Sequence, residues 1–302
     1  LKIRPVRANG AARFQRVPRA AGSTNTAVDT RPTPRLHAAP NLTEPQADRS
    51  RPNPQGQATA MATKALTLYD TTIGKKAVMA ASGIILLGFT LGHLSGNLKA
   101  YAGPTEFNEY ARWLRTMPAL LWGARLALIF AFSAHIYSAF SLWRRNKSAR
   151  PNRYQKKVDL ATDYAAKTMY LSGPILLFYV LFHLVHLTFG GQLFGDGTIF
   201  GIEGYTWEAS NPYNNLVHGF QHWPIVIPYV LGNLALGVHL FHGIWSMFQS
   251  IGANHPRYNQ YRRDLAIMLA ALLTIGNLSF PIAVMAGYLE PTTLRFNFPE
   301  LL

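Results

Sequence analysis

Residues 77–98 read AVMAASGIILLGFTLGHLSGNL, a run of apolar and small side chains with no Asp, Glu, Lys or Arg. A helix needs about 20 such residues to cross about 30 Å of hydrocarbon. Four more stretches of this kind follow, at about 119–143, 168–190, 223–248 and 265–289, and none carries Asp or Glu in its interior. Inside lipid every peptide group needs a partner within the protein, so five helices are the economical solution. Pro174, Pro224, Pro228 and Pro281 are read as kinks or first-turn residues. The expectation is an all-α membrane protein with five transmembrane helices.

The composition agrees. Of 302 residues only 14% are charged, 49% are apolar and none is cysteine. That excludes a disulfide scaffold, a thiolate metal site and an iron–sulfur cluster held by this chain's own cysteines. The net charge of +15 is unevenly spread, and residues 1–63 contribute +7 of it, with ten basic and three acidic side chains. This Pro- and Arg-rich segment has too little apolar surface to offset the entropy of ordering and is expected to be a disordered tail ahead of a 64–302 membrane domain. It resembles a transit peptide but lacks the apolar core of a secretory signal; translation from Met61 is a third reading.

Loop charges set the orientation. The segment 144–167 carries eight Lys or Arg and two Asp, beginning in WRRNKSARPNRYQKK (143–157). Residues 249–264 add Arg257, Arg262 and Arg263, while Lys75 and Lys76 precede the first span. The loop 99–118 is poorer in basic residues, and 191–222 has no Lys or Arg but holds Asp196, Glu203 and Glu208. The positive-inside rule then places the N-terminus and both basic loops on the cytoplasmic side of a bacterial-type inner membrane. The basic loops are read as topology signals and docking surfaces, with no nucleic acid as partner.

Six histidines lie within the spans: His93, His135, His183, His186, His239 and His242. Ionisable side chains at membrane depth are costly and point to function. Counted along antiparallel helices, they fall into two layers, one in each half of the bilayer, each with His from two helices. Two neutral imidazoles facing each other across a bundle suit the clamping of a haem iron from both sides. The bundle is therefore expected to hold two stacked haem layers that pass electrons. His186 and His242 stand at i+3 from His183 and His239, on nearly the same face, so depth leaves the ligand within each couple open. Glycines 83, 88, 92 and 96 suit close helix packing or the approach of a flat macrocycle.

GHLSGNL (92–98), FNEYARWLR (107–115), FHLVH (182–186) and VHLFHGIWSMFQSIG (238–252) resemble the cytochrome b subunit of succinate dehydrogenase/fumarate reductase, in its single-chain, five-helix, two-haem class. The resemblance spans roughly 65–290. It implies a membrane anchor for a flavoprotein subunit and an iron–sulfur subunit, passing electrons between the clusters and a membrane quinone through two haem b groups. The succinate site would lie on a partner. It also implies His93 paired with His183 in the outer layer and His135 with His239 in the inner one. A low-potential quinone such as menaquinone is the mild preference from the resemblance. Arg125, the only cation inside a span, is read as a propionate partner or as a cation reaching the lipid headgroups. His186 and His242 could serve a propionate or the quinone; Lys99, Asn97, Arg144, Lys75 and Lys76 are further candidates for the haems. Trp113, Arg112, His218 and His222 are candidates for a quinone site at the outer surface. Alternatives are a di-haem subunit of another respiratory complex, of hydrogenase or formate dehydrogenase type, or a His-lined metal transporter. A transporter tends to show internal repeats and midplane acids, and neither is read here. Direction of turnover and any homo-oligomer of the complex stay open.

Overall fold

The computed structural model describes residues 68–149, 164–193, 199–202, 205 and 207–296. The chain divides into units Leu1–Thr63 and Lys64–Leu302, and the expected tail lies outside the described residues. Seven helices of eight residues or more are described: α1 Thr72–Asn97, α2 Pro104–Arg115, α3 Pro118–Ser148, α4 Tyr164–His183, α5 Pro212–Phe220, α6 Trp223–Ser250 and α7 Asn259–Met285. A π-helical turn, Leu184–Thr188, extends α4. Among the described residues there is no strand. Five helices, α1, α3, α4 with its π turn, α6 and α7, are long and apolar enough to cross a membrane.

Their ends differ from the hydropathy limits because capping, not apolarity, sets a helix end. α1 starts five residues before the apolar run, where extended Thr71 accepts the Gly74 amide on its Oγ1 at 2.9 Å. Pro118, Pro212 and Pro224 occupy first turns, while Pro174, Pro228 and Pro281 lie inside helices. α7 starts six residues before the expected 265 and stops four short of the expected 289. There Gly287 takes φ +72°, and the Gly287 and Tyr288 amides donate to Val284 and Ala283 carbonyls, a Schellman stop. The stretches 99–118 and 191–222, read as loops, contain α2 and α5.

α3 packs on α1, α1 meets α6, and α6 carries α4 on one flank and α7 on another. The densest core lies where α1, α4 and α7 end and α3 and α6 begin. Leu94, Phe107, Val217, Phe220, Tyr229 and Leu273 meet there under a roof made by α2 and α5. Buried asparagines pin that roof: Asn108 donates to Asn211 at 2.9 Å and accepts the Tyr213 amide at 3.0 Å, and Asn214 exchanges two bonds with the Thr292 backbone. These buried asparagines are admissible because each is partnered. The outward faces are apolar instead: Phe130 is 76% exposed, Phe178 70% and Ile275 69%. Such a surface suits hydrocarbon rather than water.

At the opposite, basic end, Arg145 donates to the Asp70 carbonyl at 2.9 Å and anchors the entry to α1. Arg262, expected as a loop charge, is buried. It donates to the Ala253 carbonyl and to Asn254 and Asn259, and lies over the Trp245 ring. It clamps the α6–α7 turn.

Candidate functional site

The sequence's four leading histidines come together in two pairs. The rings of His93 on α1 and His183 on α4 have centres 5.8 Å apart. Those of His135 on α3 and His239 on α6 are 6.2 Å apart. Neither α1 with α4 nor α3 with α6 is among the main packing pairs of the bundle, so the rings meet across its diagonals rather than at a helix seam.

Hydrogen bonds show which nitrogen of each ring is engaged. His135 Nδ1 lies 3.2 Å from the Met79 carbonyl, which can only accept, so the proton is on Nδ1. Ser82 Oγ stands 3.3 Å from the same nitrogen. Ser172 donates to the Met169 carbonyl, leaving its oxygen to accept from His239 Nδ1 at 3.3 Å. The Asn97 amide donates to Nε2 of His93 at 3.4 Å, so that Nε2 is an acceptor. His183 Nδ1 lies 3.1 Å from the Tyr229 hydroxyl.

Two of these contacts disclose a repeat that was not read from the sequence. Residues 82–93, SGIILLGFTLGH, and 172–183, SGPILLFYVLFH, share seven of twelve residues, from the serine that touches the inner pair to the histidine of the outer pair. Ser82 faces His135 and Ser172 faces His239 at the same 3.3 Å. The hairpins α1–α3 and α4–α6 therefore present their histidines in equivalent ways. Serine and histidine stand eleven helical positions apart in both, so the pairs stand about 16 Å apart along the bundle. The expectation of no internal repeat is corrected. The shared residues are scattered through common apolar types, and the contact with the second helix is what marks them.

The couples separate as well. His186 was expected on nearly the face of His183, but the chain turns π-helical at Leu184, and the wider turn re-aims it. Its ring is fully buried under the roof, with Nδ1 2.8 Å from the Tyr229 hydroxyl and Nε2 2.7 Å from the Tyr205 hydroxyl. Both nitrogens are thus engaged. Gly219 of α5 makes room for that ring: a Cβ there would stand 2.6 Å from His186 Cε1. His242 is half-buried on α6, close enough to His239 to interact with it electrostatically.

Arg125 is half-buried, with its guanidinium 4.9 Å from the Trp122 ring centre. It has a cationic neighbour that sequence reasoning missed. Burial and the charge of Arg125 push the Arg115 guanidinium below its ordinary value, and Arg115 also donates to the Ala209 carbonyl at 2.9 Å. Two neighbouring cations at the roofed end suit an anion. The remaining candidates face aromatic or polar neighbours. Lys99 lies over Tyr110, Lys75 over Tyr69 and Arg144 over Phe140, while Lys76 is exposed. Arg112 pairs with Glu109 and Trp113 stacks on Tyr110, while His218 meets Gln221 and His222 stacks on Tyr205. The four outer-surface candidates thus divide between two neighbourhoods.

The donor set fits a haem. A first-row metal sits about 2 Å from a ligating imidazole nitrogen, which sets facing rings about 6 Å apart, centre to centre. A cofactor that brings its own ring nitrogens would need only two imidazole donors from the protein, which is what each pair offers. Gly88 and Gly92, on the helix of His93, would have nothing within 4 Å of an added Cβ. They do not serve close helix packing, and their open backbone can receive a flat ring. Gly96, by contrast, lies against Tyr110. Comparison of the chain with family models, with curated proteins and with solved structures returned no match.

Proposed function

We propose that the chain is a di-haem electron-transfer subunit of a membrane. The observation that carries this is the pair of histidine couples, His93/His183 and His135/His239, each spanning a bundle diagonal at the ring spacing a doubly ligated iron needs. A haem held between the two imidazoles of a pair would supply one-electron transfer without ready oxygen or substrate binding. For three of the four rings the protein's part is to engage Nδ1 and leave Nε2 for the cofactor. Ser82 and Met79 do this for His135, Ser172 for His239 and Tyr229 for His183. Arg125 and Arg115 offer cations for propionates at the roofed end, and Gly88 and Gly92 offer flat backbone.

The motifs at 92–98, 107–115, 182–186 and 238–252 support a narrower reading: the anchor of a succinate:quinone oxidoreductase, multi-pass in an inner membrane, carrying two haem b groups. On that reading electrons move between a partner's iron–sulfur clusters at the basic end and a quinone, with menaquinone preferred. The succinate site belongs to the flavoprotein partner.

A reduced-minus-oxidised optical spectrum with haem quantification tests the proposal on the purified full chain. Two b-type haems per chain are expected. A folded preparation, made with haem available, that shows no b-type spectrum overturns it. Copurification with a succinate-oxidising flavoprotein separates the narrower reading from the hydrogenase or formate dehydrogenase type.

A further inference from the structure

A line of four hydrogen bonds runs from the roof to the outer histidine pair: Asn215 carbonyl, Tyr205, His186, Tyr229, His183. Their lengths are 3.0, 2.7, 2.8 and 3.1 Å. The roof segment supplies the first two members, α5 lying directly beyond Tyr205 in sequence, and α6 and α4 supply the rest. Its members are interior: Tyr205 and His186 are fully buried and Tyr229 is 4% exposed.

The line has a direction, and proton counting gives it. The Asn215 carbonyl can only accept, so the single hydroxyl proton of Tyr205 points at it. The Tyr205 oxygen is then left to accept from His186, which must carry its proton on Nε2. A neutral imidazole has one N–H, so Nδ1 of His186 is an acceptor and takes the Tyr229 hydroxyl proton. The Tyr229 oxygen in turn accepts from His183, whose proton is thereby on Nδ1. Every assignment follows from the first, and the last leaves the lone pair of His183 on Nε2.

We infer that the backbone carbonyl of Asn215, acting through Tyr205, His186 and Tyr229, sets the tautomer of His183 and so aims its Nε2 lone pair at the cofactor. Tyr205, His186 and Tyr229 are positioning residues. The relay stands on hydrogen bonding alone; its consequence for a haem rests on the function proposed above. An acceptor on Nδ1–H makes an imidazole a more basic ligand and favours the oxidised iron. The inner pair receives its Nδ1 acceptors from helix serines and a helix carbonyl, so of the four histidines only His183 answers to the roof through this line.

Two measurements on the full chain separate the relay from the haem reading. Nitrogen-15 spectra of the histidine-labelled protein report tautomers, and His186 is expected with its proton on Nε2. In Tyr205→Phe, which removes the acceptor, His186 is expected to lose that single assignment. Redox titration is the second measurement. Tyr229→Phe keeps the ring and removes the oxygen, and it should raise the potential of the outer haem by about 59 mV, a tenfold change for a one-electron couple, with the inner haem unmoved. Finding His186 protonated on Nδ1 in the unmodified protein, or an outer potential indifferent to Tyr229→Phe, overturns the inference. Absence of any haem spectrum sinks the proposed function instead, and the His186 tautomer still decides the relay.

Discussion

Gly219→Ala is a one-methyl change with a defined cost. The new Cβ would sit 2.6 Å from His186 Cε1, still closer to its Nε2, and 3.1 Å from the Tyr205 hydroxyl. The His186 ring cannot retreat easily, because Phe182, Phe220 and Tyr229 surround it with ring centres 5.5–6.4 Å away. Overpacking of this kind costs about 1–3 kcal/mol. Displacing the ring also strains bonds at both nitrogens, and each buried polar group left unpaired costs about 1–3 kcal/mol. Against this, alanine is favoured over glycine in a helix by about 1 kcal/mol. With one of the two bonds lost the clash still wins, for a net loss of about 1–5 kcal/mol. The assay is reversible unfolding in mixed micelles, run as a double-mutant cycle with His186→Ala, which empties the space the methyl would occupy. In the His186→Ala background Gly219→Ala should cost close to nothing or stabilise slightly. A loss under about 1 kcal/mol in the unmodified protein, or one that His186→Ala does not relieve, would refute the packing argument.

Other outcomes follow from the same geometry. His93→Ala should lower haem content from two to one per chain and spare the inner haem spectrum, while His135→Ala should do the reverse; equal loss of both in a folded protein would break the two-layer pairing. Ser172→Ala should perturb the inner haem more than Ser82→Ala, because His135 retains the Met79 carbonyl and His239 has the serine; redox titration of both variants checks the order. Gly88→Ala, with open space around the new Cβ, should leave the unfolding free energy of the haem-free protein within about 1 kcal/mol, and the bulkier Gly88→Leu should reduce haem occupancy. A stability loss as large as that of Gly219→Ala would make Gly88 a packing glycine after all. Thr71→Ala removes the cap on α1 and should cost about 1 kcal/mol in unfolding, without changing either haem.

The five spans were legible because lipid imposes a length and a polarity that few soluble segments meet. The histidine layers were legible too, since depth along a helix is a count of residues. α2 and α5 were not, because their burial is tertiary: Tyr213, Leu216, Val217 and Phe220 are covered by residues distant in sequence. Arg262 read as a loop charge for the same reason, its partners being loop oxygens that only the folded turn brings to it. The choice between His183 and His186 could not be made from spacing, which assumes 3.6 residues per turn, whereas the chain becomes π-helical immediately after His183.

The sequence by itself determined that five helices are long and apolar enough to cross a membrane and that imidazoles stand at two depths along them. Apolar run length and residue count decide both without reference to any neighbour. Tertiary structure decided everything that depends on direction around the helix axis. It brought His93 to His183 and His135 to His239 across the diagonals. It turned His186 into the roof, and it linked the Asn215 carbonyl to His183 through three side chains. Azimuth and hydrogen-bond polarity come from which helices pack together, and that is settled only when apolar faces from distant parts of the chain meet.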